Sequence, residues 1–429
     1  MNQVPVTGID VGKRFSEMAI LSPSNQVYAR IRINHDAYSN FDRAFELLRK
    51  AEKEFEAKPV VIMESTGHYH KILFQTLTKN GYEVCVINPI QSDSIKNIRV
   101  RKVKNDKVDA KRIALLYRFG QLKTTNIPHE DIDCLRSLCR HYYKLSDQLT
   151  AYKNRLLGIV DQLFLSFTEV FKDVSSCTAL AILEKYPTPE DILKADRQKL
   201  ISLIQKTARK NIKWATGKYE SLCSKASNFK PLSINSIANA AMLKANIVMI
   251  KTLMQSLDAA VEAIHELLDK DASKDMPVLS LTIELLCSIP GIGLLTAATI
   301  IAEIGDFSAF SKPDKLVAYF GVDPSVTQSG QFEGTENKMS KRGPRLLRRV
   351  VFTTALANVR KKRNGQEHNP VLYEYYRKKC LSKPKKVALG AVMHKLVSII
   401  FAVLRDRKPF VLRMPEEHAK MLIAKNSAA

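Results

Sequence analysis

In the first 125 residues, apolar positions follow the repeats of strands and helices in turn. Three β-branched or apolar runs within residues 4–33 predict three strands, because turn-forming residues separate them. Residues 37–57 have apolar positions every three or four residues, which predicts a helix. The pattern then predicts a buried strand at 59–67, a helix at 69–80, a strand at 82–89 and a helix at about 105–119. We therefore expect residues 1–125 to form an α/β domain with a mixed sheet.

Two long heptad patterns distinguish the middle of the chain, residues 126–275. The first has apolar side chains at 135, 138, 142, 145, 149, 152, 156, 159 and 163, and the second at 243, 247, 250, 254, 257, 261, 264 and 268. Heptads sustained over this length favour coiled-coil helices over ordinary amphipathic ones. Residues 165–240 between them look helical but lack a clean period. We expect an antiparallel coiled-coil arm with a helical insert, or a plain helical bundle, and either would offer a dimerisation surface.

Two apolar helices separated by a glycine turn are predicted at the start of the C-terminal region. The stretch LLCSIPGIGLLTAATIIAEIG at 285–305 resembles a helix-hairpin-helix element. Gly291 and Gly293 would let backbone N–H groups approach a phosphate at the start of the second helix. We expect a mainly helical domain at 276–410 and a tail at 411–429. The predicted fold class is therefore α/β followed by α.

The chain is strongly basic, and its charge is concentrated in two segments. Among its 429 residues are 67 Lys+Arg and 43 Asp+Glu, a net charge of +24. Residues 311–429 alone contain 25 Lys+Arg against 9 Asp+Glu, and a second cluster covers 96–118. A single cluster of this kind is often only a solvated helix face. Two separate clusters favour a nucleic-acid partner over an anionic membrane, since neither is joined to a lipid-facing apolar stripe.

The cysteine pattern and the N-terminal sequence indicate the compartment. Seven cysteines are scattered through the chain without a Cys-x-x-Cys pair, which argues against a disulfide scaffold or a structural zinc site. The N-terminal sequence lacks the basic-then-apolar pattern of a signal peptide. The longest apolar stretch, 387–404, is interrupted by His394 and Lys395 and is a poor membrane span. We expect a cytoplasmic protein.

Four acidic residues stand where carboxylate chemistry would need them. Asp10 ends the first predicted strand, and Glu64 ends the apolar strand VVIM, where an unpaired charge would be costly. Asp106 and Asp109 are three residues apart, so a helix places both on one face. Carboxylate oxygens are the ligands that Mg²⁺ prefers, and Mn²⁺ could substitute. Two strand-end acids and a helical pair on a mixed sheet form the ribonuclease-H or RuvC layout, which favours a nuclease or a DNA strand-transfer site.

A serine in the C-terminal region precedes a run of cations. Ser329 is followed by Gly330, which frees the backbone and allows the hydroxyl to be presented from a loop. Such a pair is usually an ordinary surface turn, but here Lys341, Arg342 and three further arginines follow. At helical spacing, positions 341, 345 and 348 share one side, as do 345 and 349, and we expect such a cationic stripe. A serine beside such a stripe could attack a phosphodiester while the guanidinium groups neutralise the developing charge.

Five motifs in this order carry a family resemblance. They are GIDVGK, MESTGHY, NDKVDAKRIA, IPGIGLLTAATIIAEIGD and GVDP…QSG…SKRGPRLLR. The chain resembles the DEDD transposases of bacterial insertion sequences (the "insertion sequence one-ten" family) and the related Piv DNA invertases. The resemblance implies that Asp10, Glu64, Asp106 and Asp109 form a RuvC-like Mg²⁺ site, and that Ser329 forms a covalent phosphoserine link to DNA. It also implies an active site shared between protomers and a bridge RNA that selects donor and target DNA.

The expected function is site-specific DNA recombination by a dimer or tetramer acting on double-stranded donor and target DNA. The residues expected to bind nucleic acid are Arg99, Arg101, Lys102, Lys104, Lys107, Gly291, Gly293, Lys341, Arg342, Arg345, Arg348 and Arg349. Two alternatives stay open at this point. A hydrolytic Mg²⁺ nuclease of the junction-resolving kind would explain the carboxylates but leave Ser329 structural. A DNA-bridging protein without activity would explain the charge and the heptads but not the strand-end acids.

Overall fold

The chain folds into two compact units, Met1–Pro128 and His129–Ala429. A computed structural model describes residues 4–36, 38–65, 67–87, 106–118, 130–228, 236–274, 278–325, 328–329, 332–333, 338–414 and 416–417. The finer division predicted at 275 and 410 stays a prediction.

The first unit is built on one mixed sheet. Its strands are β1 Val6–Val11, β2 Phe15–Leu21, β3 Val27–Asn34, β4 Val60–Glu64 and β5 Val84–Ile87. Its helices are α1 Asp42–Phe55, α2 His70–Lys79 and α3 Asp106–Arg118. The strand order is β3-β2-β1-β4-β5, with β1, β2 and β3 antiparallel and β4 and β5 parallel to β1. The predicted mixed sheet and its alternating helices are confirmed.

The two faces of this sheet are covered by different helices. Ile9 and Val11 of β1 pack in the cluster that contains apolar residues of α1 and α2. Val6 points to the other face, where it packs with Ile113 of α3. Successive side chains of a strand alternate between faces, so Gly8 and Asp10 also belong to the α3 face.

The second unit begins with two long helices, α4 Glu130–Phe164 and α10 Ser236–Ala272, which pack antiparallel along one another. Asn239 Nδ2 donates a hydrogen bond to Gln162 at one end, and Lys274 pairs with Asp131 at the other. The predicted antiparallel arm is thus formed within a single chain. One predicted seam position is wrong: Met254 is 36% exposed, and Leu253 is buried instead. An ordinary helix of 3.6 residues per turn drifts away from a strict heptad, which explains the shift.

A small helical bundle lies between these two helices in sequence. It consists of α5 Phe167–Val170, α6 Cys177–Lys185, α7 Pro189–Lys194, α8 Arg197–Ala208 and α9 Ile212–Ser227. Apolar residues of these helices form one core with the adjoining ends of α4 and α10. The predicted helical insert is therefore confirmed, and it has a core of its own.

The remaining helices surround one apolar core. They are α11 Val278–Cys287, α12 Leu294–Ile304, α13 Pro313–Phe320, α14 Arg345–Asn358, α15 Pro370–Cys380 and α16 Lys385–Asp406. Helix α16 is long and apolar enough to cross a membrane by length and composition. Its residues Val392, Leu396 and Ile400 are fully buried against neighbouring helices of the unit. It is therefore the central helix of this core.

Candidate functional site

Two of the predicted carboxylates lie side by side at one edge of the sheet. Ile9 and Met63 are partners in the parallel pairing of β1 with β4, so Asp10 and Glu64 follow this pair directly. Neighbouring strands lie about 4.8 Å apart. Ile62 packs on the α3 face, and Glu64, two residues further on, belongs to that face as well. Both acids thus belong to the same face and the same edge, and Glu64 is buried there.

Helix α3 runs antiparallel to β1, which brings its N-terminal turn to the same edge. Near the C-terminal end of α3, Arg118 Nη2 donates a 2.6 Å hydrogen bond to the carbonyl of Val4, which precedes β1. Between the two ends, Gly8 lies against the helix so closely that a Cβ there would come within 2.0 Å of the Ala110 oxygen. Asp109 is therefore carried on the turn of α3 nearest to Asp10.

Of the two predicted acids on α3, the structure describes the side chain of Asp109 but not that of Asp106. Asp109 is buried and accepts a 2.9 Å hydrogen bond from Arg112 Nη1. Asp106 begins α3, and nothing is described of its side chain. Among the side chains that the structure describes, no group of three or more His, Cys, Asp or Glu could hold a metal ion. The predicted nucleic-acid residues Arg99, Arg101, Lys102 and Lys104 lie outside the described residues, as does the side chain of Lys107.

A fifth acid, which the sequence patterns did not indicate, lies beside Asp10 on the neighbouring strand. Glu17 of β2 is the antiparallel partner of Asp10 and is only 4% exposed. Its other neighbour is Arg32 of β3, whose Nε donates a 2.6 Å hydrogen bond to Glu17 Oε1. The Arg32 guanidinium also lies 4.1 Å from the centroid of the Phe15 ring. Strand alternation could have identified Glu17, because it stands at an inward position between apolar residues.

Ser329 belongs to a β-hairpin and not to an irregular loop. Strand β6, Gln328–Ser329, pairs antiparallel with β7, Phe332–Glu333, and Ser329 is the partner of Phe332. At the base of the hairpin, the backbone N–H of Ser325 donates to the carbonyl of Lys338 over 2.7 Å. Of the side chain of Ser329 nothing is described. The pairing places Ser329 at the C-terminal end of β6.

The predicted cation stripe divides into two groups. Lys341 and Arg342 precede α14, which begins at Arg345 after Pro344. Gly343, between Arg342 and Pro344, lies so close to Tyr319 that a Cβ there would meet the Tyr319 carbonyl oxygen at 1.7 Å. The expectation that 341, 345 and 348 share one helical side is therefore wrong for Lys341. Lys341, Arg342 and Arg345 are exposed.

The other two arginines of the stripe have internal partners. Arg348 Nη1 donates to the carbonyl of Gly343. Arg349 pairs with Asp147 of α4 over 2.7 Å and lies 4.9 Å from the ring centroid of Tyr143. The three exposed cations are therefore better placed to meet a polyanion.

The turn between α11 and α12 has the predicted glycine geometry. Gly291 has a φ of +81°, and a Cβ there would approach Asn358 Nδ2 to 2.8 Å. The same amide donates a 2.8 Å hydrogen bond to the carbonyl of Pro290, so the turn is fixed against α14. Gly293 is the N-cap of α12 and has open space around it. Gly291 thus has a structural reason to be glycine, whereas Gly293 leaves the helix start accessible.

Two models of known protein families match this chain, one in its N-terminal part and one in its C-terminal part. Residues 7–165 match the model of the DEDD transposases of IS110, described as "Transposase". Residues 283–376 match the model described as "Transposase IS116/IS110/IS902 family". The chain belongs to the IS110 family of transposases. It is therefore an enzyme of the DNA transposase and recombinase class, and the two matched regions contain the strand-end acids and the serine hairpin respectively.

Individual relatives agree with this assignment. The chain is 24% identical over 412 residues to the "Insertion element IS110 uncharacterized 43.6 kDa protein" of Streptomyces coelicolor, covering 95% of this chain and 96% of the relative. It is 32% identical over 141 residues to the "Pilin gene-inverting protein" of Moraxella lacunata, covering 33% of this chain and 42% of that relative. It is 30% identical over 124 residues to the "Transposase for insertion sequence element IS1111A" of Coxiella burnetii, covering 29% of this chain and 33% of the relative.

Proposed function

We propose that this transposase cuts and rejoins double-stranded DNA by combining a RuvC-like carboxylate site with a serine nucleophile. The observation that carries the proposal is the placement of Asp10 and Glu64 on the same face and edge of the sheet. The N-terminal turn of α3, with Asp106 and Asp109, is directed to that edge. The strand order β3-β2-β1-β4-β5 supports the ribonuclease-H-like fold that the resemblance implies.

Asp10, Glu64, Asp106 and Asp109 would hold Mg²⁺, or Mn²⁺ in its place. The donor set fits this ion, because every member is a carboxylate and hard divalent cations prefer such oxygens. Glu64 is buried at the end of β4, next to the end of β1 where Asp10 lies. When bound, the ion supplies positive charge against the scissile phosphate.

Ser329 would act as the attacking group. Its Oγ forms a bond to phosphorus as one P–O bond to a deoxyribose breaks, and the released sugar hydroxyl receives a proton in place of the one that the serine gives up. A hydroxyl from a second strand then reverses this exchange and restores the serine. Each step replaces one phosphodiester bond by another, so no ATP is needed. Lys341, Arg342 and Arg345, which are exposed and follow the hairpin, would neutralise charge on the phosphate.

The proposal extends to partners and compartment. The family resemblance implies a bridge RNA that pairs with donor and target DNA, and a dimer or tetramer that assembles the site from two protomers. The scattered free cysteines and the basic charge fit work on nucleic acid in the cytoplasm.

The test is a search for protein attached covalently to DNA. The purified transposase is incubated with Mg²⁺, supercoiled donor and target DNA and the RNA encoded beside its gene, and adducts are separated in denaturing gels. We expect an adduct with the wild type and none with Ser329→Ala, while Ser382→Ala, which changes an exposed serine of the same unit, retains it. Asp10→Asn should abolish both adduct and nicking but leave DNA binding intact.

Other outcomes would overturn parts of the proposal. Clean nicking without an adduct would identify a hydrolytic nuclease. An adduct that survives Ser329→Ala would place the nucleophile elsewhere. Binding without nicking in every variant would leave only a bridging protein.

A further inference from the structure

An exposed basic surface with one aromatic side chain lies at the junction of α8 and α9, far in sequence from the carboxylates and the serine. Residues 206–218 contain five Lys or Arg and no Asp or Glu. We call these residues the α8–α9 corner. Arg209 adopts a left-handed backbone with a φ of +53°, which ends α8, and Asn211 then caps α9 by accepting from the Trp214 N–H. The C-terminal end of α8 and the N-terminal end of α9 are thus both capped, and the connection between the two helices has a defined conformation.

The cations of this corner are directed to solvent. Lys206, Arg209, Lys210 and Lys213 are exposed. Among the ion pairs between residues that the structure describes, none involves any of these four side chains. Their charge is therefore not neutralised from within the bundle, and it is available to an anionic partner.

Trp214, the only tryptophan of the chain, lies among these cations in the sequence. Its side chain is 37% exposed, and it is not part of the apolar core of the insert. The Lys218 ammonium lies 5.8 Å from the Trp214 ring centroid and donates a 2.7 Å hydrogen bond to the carbonyl of Val170. An anchored cation thus lies within cation–π range of the indole, which favours an orientation of the ring next to Lys218.

Gly217 is an exposed glycine on the same side of α9 as Trp214. It lies one helical turn after Trp214 in α9, and a Cβ at this position would meet nothing within 4 Å. Glycine inside a helix costs about 1 kcal/mol relative to alanine, and no packing constraint requires it here. Position 217 therefore carries no side chain that would hinder a ligand approaching Trp214 along this side of α9, and we call this open surface the shelf.

We propose that the α8–α9 corner binds single-stranded nucleic acid, with an unpaired base stacked on Trp214 over Gly217 and the adjoining phosphates held by Lys210 and Lys213. Stacking on aromatic rings within a basic groove is how proteins bind single strands, because every base has a π-face. Duplexes do not offer this contact, since their bases are already stacked. An anionic membrane is a poorer fit, because Ile212 and Trp214 are the only large apolar side chains exposed at the corner and membrane binding needs a wider stripe.

The single tryptophan makes the surface testable in the full-length protein. Tryptophan emission is recorded while oligonucleotides of about ten residues, either RNA or DNA, are added at several salt concentrations. We expect single strands to quench the emission, and duplexes of the same sequence or inorganic polyphosphate not to do so. Whether RNA or DNA binds more tightly identifies the source of the strand. Quenching by polyphosphate equal to that by single strands would overturn the stacking contact. A blue shift with anionic vesicles and no response to single strands would replace the proposal by membrane binding.

Two sets of variants with matched controls complete the test. Gly217→Leu fills the shelf and should weaken binding about tenfold or more, whereas Gly158→Leu, at a helical glycine of α4 with equally open space, should not. Lys210→Gln with Lys213→Gln should lower the dependence of log affinity on log salt by about 0.7 for each lysine. The pair Lys385→Gln and Lys386→Gln, exposed on the same unit, should leave the quenching unchanged. Unaltered quenching in Gly217→Leu would overturn the proposal. Because the readout is local to Trp214, this result is independent of DNA cleavage.

Discussion

Arg32 Nε donates a 2.6 Å hydrogen bond to Glu17 Oε1, directly across the sheet from Asp10. Glu17 is almost fully buried, while the side chain of Arg32 is 52% exposed. Three adjacent strands therefore present two carboxylates and, beyond Glu17, one cation in a single row. The arginine therefore balances the charge of the buried acid that faces Asp10 across the strand pair.

The cost of breaking this pair should depend on which partner is removed. Arg32→Ala leaves a buried carboxylate without its cation and should lower the free energy of unfolding by about 2–3 kcal/mol. Glu17→Gln leaves Arg32 free to reach water and should cost less. Urea unfolding measures both, with Arg30→Ala, an exposed arginine of the same strand, as the control. Equal costs for the two substitutions would show that the burial of Glu17 is not what matters.

Gly8 should tolerate no side chain. A Cβ there would lie 2.0 Å from the Ala110 oxygen and 2.5 Å from the Ala114 nitrogen, so α3 would have to move away from β1. Gly8→Ala should lower the melting temperature strongly and abolish cleavage, because Asp109 moves with the helix. Gly158→Ala is the matched control, and it should stabilise α4 by about 0.5–1 kcal/mol since its Cβ meets nothing. A Gly8→Ala protein of normal stability would contradict this close contact.

The ion pair between α4 and α12 should behave asymmetrically. Arg140 makes two hydrogen bonds of 2.6 and 2.8 Å to Glu303, which is 2% exposed. Arg140→Ala leaves this buried carboxylate without its cation and should lower the free energy of unfolding by about 3 kcal/mol or more. Glu303→Gln removes the buried charge, and a loss of only about 1–2 kcal/mol is expected. Chemical denaturation measures the free energy of unfolding of both variants. A larger loss for Glu303→Gln than for Arg140→Ala would be inconsistent with the burial of Glu303.

The exposed and the internally paired arginines of α14 should have separable roles. Arg345→Gln should weaken DNA binding and lower the salt dependence by about 0.9 log units per tenfold change in salt, as expected for one lost duplex phosphate contact. Arg349→Gln should mainly lower stability, because this arginine pairs with Asp147. Binding titrations at several salt concentrations, with melting curves for both variants, make the comparison. A lower salt slope for Arg349→Gln alone would reverse the assignment.

Cys139 should make the protein sensitive to alkali. Burial raises the pKa of its thiol from 9.0 to about 11, so the folded state favours the protonated form. This contribution to stability is fully present below the pKa of the unfolded thiol and is lost as the pH rises through about 11. As the pH rises from 9.0 to about 11, the free energy of unfolding of the wild type should therefore fall relative to that of Cys139→Ala. At neutral pH, alkylation followed by mass spectrometry should modify the exposed Cys134 and spare Cys139.

Much of this protein was determined by the sequence alone. The alternation of strand and helix periods predicted the sheet and the helices around it, because burying one face of an element fixes the spacing of its apolar residues. The heptads predicted both long helices and their pairing, although Leu253 took the seam position expected for Met254. The motifs predicted the family, since the spacing and order of such residues are properties of the chain itself.

Only the tertiary structure decided which side chains become neighbours. Glu17 stands seven residues after Asp10 in sequence, yet strand pairing makes it the cross-strand partner, and nothing local reveals that Arg32 completes the row. The close contact of α3 with Gly8 and the pairing of Arg349 with Asp147 likewise join distant segments. Local periodicity records which face of an element is buried. The partner on that face is set by long-range packing, which a short pattern does not contain.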